Sequence, residues 1–128
     1  MQGLTGVHVL VVEDEPIVAM DLASMLEDAG AQVLGPALTL DQADKLSENA
    51  RIAVALLDVR LGDDTIAPVA SKLHHRGVPI VFHTGHGSAD ALLQQWPGSR
   101  VLFKPARTQD VLGAVIAAIS FHPGPSEI

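Results

Sequence analysis

Short apolar runs alternate along this chain with longer stretches in which apolar residues return at helical spacing. The runs Val7–Val12, Gln32–Pro36, Ile52–Asp58, Pro79–Thr84 and Arg100–Phe103 predict five strands, most of them nearly continuous in apolar residues, as strands buried on both faces are. Pro16 suits the first turn of a helix reaching about Ala29, with Ile17, Met20, Leu22, Ala23 and Leu26 as its apolar face and Gly30 as its left-handed stop. Thr39 or Asp41 can cap a second helix carrying Ala43 and Leu46, and a third begins near Asp64 or Thr65 and ends at Gly77, with Pro68 tolerable only in its first turn. A short fourth helix covers Ser88–Gln95, and a fifth covers Thr108–Ile119 with Val111, Leu112, Val115 and Ile116. This alternation, without repeats or a linker, predicts one α/β domain: a parallel, doubly wound sheet with helices on both faces. Residues 1–6 read as an N-terminal extension, 7–120 as the domain and 121–128 as a flexible tail.

Open sheets of this kind place their sites at the carboxyl ends of the strands. Glu13 and Asp14 follow the first strand, Asp58 ends the third, Thr84 ends the fourth and Lys104 follows the fifth. Three carboxylates, a hydroxyl and an ammonium would therefore meet on one rim. Adjacent carboxylates repel unless something positive lies between them. Oxygen ligands from Asp14 and Asp58, with Glu13 through water and a backbone carbonyl, suit a hard divalent cation such as Mg²⁺ or Mn²⁺. Asp58 can then act as a carboxylate nucleophile toward a phosphoryl group whose oxygens meet Thr84 and Lys104.

Composition narrows the partners. The net charge of −7 argues against nucleic acid and anionic membranes, which reward concentrated Lys and Arg. No Tyr, one Trp and three Phe leave little surface for stacking bases. The absence of Cys removes disulfides and thiolate chemistry. No apolar window approaches the ~18 residues of a membrane span, and the opening "MQGLTG" lacks the pattern of a signal peptide, so a cytoplasmic location is expected.

The elements "VVEDEP", "LLDVRLGDD", "HTG" after the fourth strand and "FKP" after the fifth, in this order and spacing, resemble the response-regulator receiver domains of two-component signalling. The resemblance covers roughly residues 7–120. It implies a flavodoxin-like (CheY-like) sheet in strand order 2-1-3-4-5 with five helices on two faces. It further implies phosphorylation of Asp58 by a sensor histidine kinase or phosphotransfer protein, Mg²⁺ held by Asp14, Asp58 and the Arg60 carbonyl, a cis peptide before Pro105, and signalling through an output protein rather than turnover as an enzyme. "VPIVFHTGHG" is similar to the Phe-Ala-Thr-Gly (FATGUY-type) receivers of alphaproteobacteria, with Phe82, Thr84 and Gly85 in place and His83 for the Ala. Such receivers often stand alone, which the chain length matches, and the resemblance points to a kinase of the HWE/HisKA2 type.

Two departures change the picture. Receivers carry an aromatic residue three positions before the lysine, and here that position is Val101, so a moving loop around Gly85, His86 and Gly87 is the expected switch. "RLGDD" replaces the usual Met-Pro turn after the acceptor. Simpler readings stand beside the sharp ones: Glu13 and Asp14 also suit a helix start, Asp63 and Asp64 a solvated turn, and His74 and His75 a helix end. His83 and His86 have the spacing of a metal pair but no evident third ligand. A phosphate sink without an output partner and an unphosphorylated pseudo-receiver are alternatives. A haloacid-dehalogenase-like phosphatase is another, although it needs a second Asp where this chain has Arg60.

Overall fold

A computed structural model describes residues 3–85 and 87–121 of the chain. Its strands are β1 (His8–Val12), β2 (Gln32–Ala37), β3 (Val54–Leu57), β4 (Arg60–Leu61), β5 (Asp64–Thr65), β6 (Ile80–Thr84) and β7 (Arg100–Phe103). The helices are α1 (Pro16–Asp28), α2 (Leu40–Leu46), α3 (Ala67–His75), α4 (Ala89–Gln95) and α5 (Thr108–Phe121). Five strands form one parallel sheet in the order β2-β1-β3-β6-β7, which is the 2-1-3-4-5 arrangement, and β4 and β5 pair separately as a small antiparallel hairpin. The central strands β1, β3 and β6 are buried almost throughout, whereas β2 and β7 at the edges are half-exposed.

Each face of the sheet has its own core. Leu10, Ala55, Leu57, Ile80 and Phe82 pack under α2, α3 and α4 through residues such as Ala43, Val69, Leu73 and Leu92. Val9, Val11, Val54, Leu56 and Val81 pack under α1 and α5 through Leu22, Leu26, Val111 and Val115. The period-two alternation of strand side chains divides each strand between the two layers. Leu4 is fully buried in the second layer, and its N–H donates to the Ala29 carbonyl at 3.0 Å, so residues ahead of β1 take part in the core.

Caps follow local chemistry. Thr39 Oγ1 accepts the Gln42 N–H at 3.1 Å and Ser88 Oγ accepts the Ala91 N–H at 3.3 Å, each satisfying a donor that the helix start leaves free. Gly30 ends α1 at φ +100. Two expectations need correction. Ile17 and Met20 are 78% and 69% exposed, and the face of α1 that is buried is Ala19, Leu22, Ala23 and Leu26. Those four follow the i, i+3, i+4, i+7 stripe, and Ile17 and Met20 fall outside it. The third helix starts at Ala67 rather than Asp64 or Thr65, because those two residues pair with Leu61 and Arg60 in the hairpin. Pro68 then lies in the first turn, where its missing N–H costs nothing.

Candidate functional site

Parallel alignment of β1, β3 and β6 brings their carboxyl ends to one rim. The Asp58 N–H continues the sheet ladder by donating to the Val12 carbonyl at 2.9 Å, and the Lys104 N–H does the same to Thr84 at 2.8 Å. Backbone pairing therefore fixes the origin of each side chain. Asp14, Glu15, Asp58, Arg60, Thr84, Gly85 and Lys104 line a cleft of about 240 Å³ at this edge.

Glu13, Asp14 and Asp58 each offer a carboxylate oxygen within 4.8 Å of the others, an arrangement able to hold one metal ion. Lys104 Nζ lies 2.7 Å from Glu13 Oε1, 3.1 Å from Asp58 Oδ2 and 3.7 Å from the exposed Glu15. Glu13 is fully buried, and its other oxygen accepts the Glu15 N–H at 3.1 Å. One ammonium is thus shared among more negative groups than it can neutralise.

The protonation behaviour follows. Burial, then repulsion from Glu13, pushes the Asp58 carboxyl up to about 7, against the opposing pull of Lys104. Burial also works against the charge of Asp14, but the Gly62 N–H, which donates at 3.0 Å, and the hydrogen bonds with Asp58 and Glu13 outweigh it and hold that carboxyl below its usual range. Lys104 loses hydration by burial, yet Glu13 and Asp58 keep it charged to higher pH than a free lysine. The Gly62 contact also ties the β4–β5 hairpin, formed by "RLGDDT", to the acidic cluster.

The remaining sequence candidates are placed as follows. Thr84 is buried at the end of β6 and Gly85 is exposed beside it. The Lys104–Pro105 peptide is cis, and so is Gly35–Pro36, which no motif in the sequence points to. Val101 is half-buried against the α4 side of the core. His86 lies outside the described residues. His83 is 4% exposed on the opposite side of the sheet from Phe82, with Nδ1 3.9 Å from Glu13 Oε1. This neighbouring carboxylate, far away in sequence, could not be read from the His83–His86 spacing. Glu15, beside Lys104, was also missed, although it completes the acidic triplet before Pro16.

A 2-1-3-4-5 parallel sheet whose strand ends gather three carboxylates, a threonine and a lysine defines a receiver domain of two-component signalling. The chain belongs to that family: the response regulator receiver domain matches residues 9–116. Among its relatives, the phyllosphere-induced regulator PhyR of Methylorubrum extorquens is 30% identical over 118 residues, covering 90% of this chain and 44% of PhyR. A response regulator receiver protein from Sinorhizobium medicae superposes with a TM-score of 0.79 at 26% identity, covering 92% of this chain and 98% of that one. The anti-anti-sigma factor PhyR of Bartonella quintana, solved as a mutant, has a TM-score of 0.75 at 27% identity, covering 92% of this chain and 50% of that one. The chain spans about half the length of the curated relatives it matches, 44% of PhyR and 57% of the Mycobacterium tuberculosis regulator PdtaR. Among the described residues, no helix is long and apolar enough to cross a membrane.

Proposed function

We propose that Asp58 accepts a phosphoryl group from a histidine kinase or phosphotransfer protein in a Mg²⁺- or Mn²⁺-dependent reaction, and that the phosphorylated domain signals by binding another protein in the cytoplasm. The observation that carries this reading is the position of Asp58: its carboxylate faces an open cleft, 3.1 Å from Lys104 Nζ and within reach of the same cation as Glu13 and Asp14. The donor's N–P bond breaks as the Asp58 Oδ–P bond forms, and later attack by water returns the carboxylate and releases phosphate. Asp14, Asp58 and the Arg60 carbonyl would hold the cation, with Glu13 behind them. Bound there, a divalent cation offsets the carboxylate repulsion and draws charge from one phosphoryl oxygen. Thr84 and Lys104 meet the other oxygens, so positioning and charge neutralisation supply most of what the transfer needs.

Ile17 and Met20 on the outer face of α1 give the phosphodonor an apolar surface beside the cleft, and an HWE/HisKA2 kinase is the type to try first. On the output side, the face built by α4, β7 and α5 exposes Leu93 and Phe103. The anti-anti-sigma factor of Bartonella quintana makes an anti-sigma-type protein one partner to test. The deciding experiment is intact mass after incubation with acetyl phosphate, with and without Mg²⁺, on the wild type and Asp58→Asn. A single phosphoryl increment requiring both the metal and Asp58 supports the proposal. No increment under any condition overturns it in favour of a pseudo-receiver.

A further inference from the structure

We infer that His83 is a positioning residue for this site, its imidazole taking over the buried Glu13 carboxylate when Lys104 is drawn toward phosphorylated Asp58. The inference rests on the proposed chemistry of Asp58. It starts from an unexplained group: His83 is 4% exposed, and among the described residues neither ring nitrogen has a hydrogen-bond partner. A buried polar side chain without partners costs stability, so its retention in the core calls for a reason.

The surroundings supply one. His83 precedes Thr84 on β6 and lines a cavity of about 370 Å³ between α1 and the Lys104–Ala106 segment, with Val18, Leu22 and Met25 as its apolar wall. The cavity gives the ring room to shift. Nδ1 lies 3.9 Å from Glu13 Oε1, about 1 Å beyond hydrogen-bond distance. That oxygen is in ionic contact with Lys104 at 2.7 Å but makes no aligned hydrogen bond, so its accepting capacity is unspent.

Lys104 divides its ammonium between Glu13 and Asp58. A phosphoryl group on Asp58 brings more negative charge farther from Glu13, and the ammonium cannot follow it while staying at 2.7 Å. Its departure leaves the fully buried Glu13 carboxylate with the Glu15 N–H as its one remaining hydrogen-bond donor among the described residues. A neutral ring carrying its proton on Nδ1 can donate to Oε1 after a small movement. No covalent bond changes in this step; one donor replaces another on the same oxygen.

The test follows the ¹⁵N-labelled histidine rings of the full chain by NMR, with Mg²⁺ and with or without beryllofluoride as a non-transferable phosphoryl mimic. Bound beryllofluoride is expected to move His83 Nδ1–H to the signature of a carboxylate-bonded donor. His83→Ala is expected to weaken beryllofluoride binding about tenfold, as the loss of one hydrogen bond to a charged group does, and His83→Asn, which keeps a donor, to restore most of it. An unchanged Nδ1 signal with beryllofluoride bound, or equal affinity in wild type and both variants, overturns the inference. Phosphorylation of the wild type at Asp58, read by intact mass, separates that result from failure of the underlying proposal.

Discussion

Replacing Asp58 by Asn should make the metal-free protein more stable at alkaline pH, although it removes a buried group in contact with Lys104. Lifting a carboxyl from 3.8 to about 7 corresponds to about 4 kcal/mol at about 1.4 kcal/mol per pH unit. The residue is 5% exposed but its carboxylate lines an open cleft, where water screens part of that cost, so about 2 kcal/mol is the expected gain from Asn at pH 8.5. The sign follows from proton binding. Between pH 4 and 7 the folded protein holds a proton on Asp58 that the unfolded chain has released, so this residue's contribution to stability falls as pH rises through that window. Asn does not titrate, and the advantage of the variant should grow from near zero at pH 4 to its full value above pH 8. His83 titrates in the opposite sense, its depressed pKa adding stability as pH rises, but it is present in both proteins and cancels from the difference. Urea unfolding with EDTA at a series of pH values measures this directly. Adding Mg²⁺ should then stabilise the wild type by about 2.7 kcal/mol at a hundredfold excess over its dissociation constant and the variant by less, reversing the order. A variant that is less stable than wild type by the same amount at every pH would refute the reasoning, because Asp58 would then be an ordinary satisfied carboxylate.

Three further outcomes test the packing that supports the site. Gly35 has φ +104, and a Cβ there would stand 2.6 Å from the Ala37 nitrogen and 2.9 Å from the Val11 carbonyl oxygen, both backbone. Gly35→Ala should cost about 2 kcal/mol or more in urea unfolding, and a loss below about 0.5 kcal/mol would contradict the close approach of β1 and β2. Gly113 sits within α5 with open space where its Cβ would be, so Gly113→Ala should raise stability by about 0.5–1 kcal/mol, read as a higher melting temperature. Trp96 is 4% exposed, packs against Phe82 with ring centroids 5.3 Å apart and planes tilted by 46°, and donates from Nε1 to Ser71 at 3.2 Å; Trp96→Ala should cost about 3–5 kcal/mol in urea unfolding.

The sheet was legible because its strands are short apolar blocks bounded by Gly, Pro and acids, and because the chain alternates them with helical periods. The residues at the strand ends were legible for the same reason: a parallel sheet converts sequence order into a shared rim. What stayed hidden depended on surfaces rather than periods. Ile17 and Met20 are apolar and near the buried stripe of α1, and only the docking of that helix on β1 and β2 shows that they face solvent. The β4–β5 hairpin is built from "RLGDDT", whose polar residues carry no strand signal, and its pairing is set by the turn at Gly62, φ +64. Leu4 lies in an opening segment with no period, yet the end of α1 brings a carbonyl and an apolar pocket to it. His83 invited comparison with His86 three residues away, whereas the group it approaches is seventy residues earlier in the chain.

The absence of an aromatic ring at Val101 does not leave this strand without one. Side chains two apart on a strand share a face, so Phe103 stands on the same side of β7 as Val101, one step closer to the site. Val101 is held against the core with Trp96 and Phe82, and it has no ring to swing. Phe103 is 52% exposed and adjoins Lys104, so a shift of the lysine backbone toward a phosphoryl group on Asp58, as proposed, would carry an apolar ring at the surface with it. Under the proposed phosphorylation, two conformations that differed at this ring would present different areas to a partner, and a difference in contact is what a population shift requires in order to signal. On the proposed chemistry the natural lever is therefore the Phe103–Lys104 pair, in which the exposed ring and the cation are consecutive in the chain.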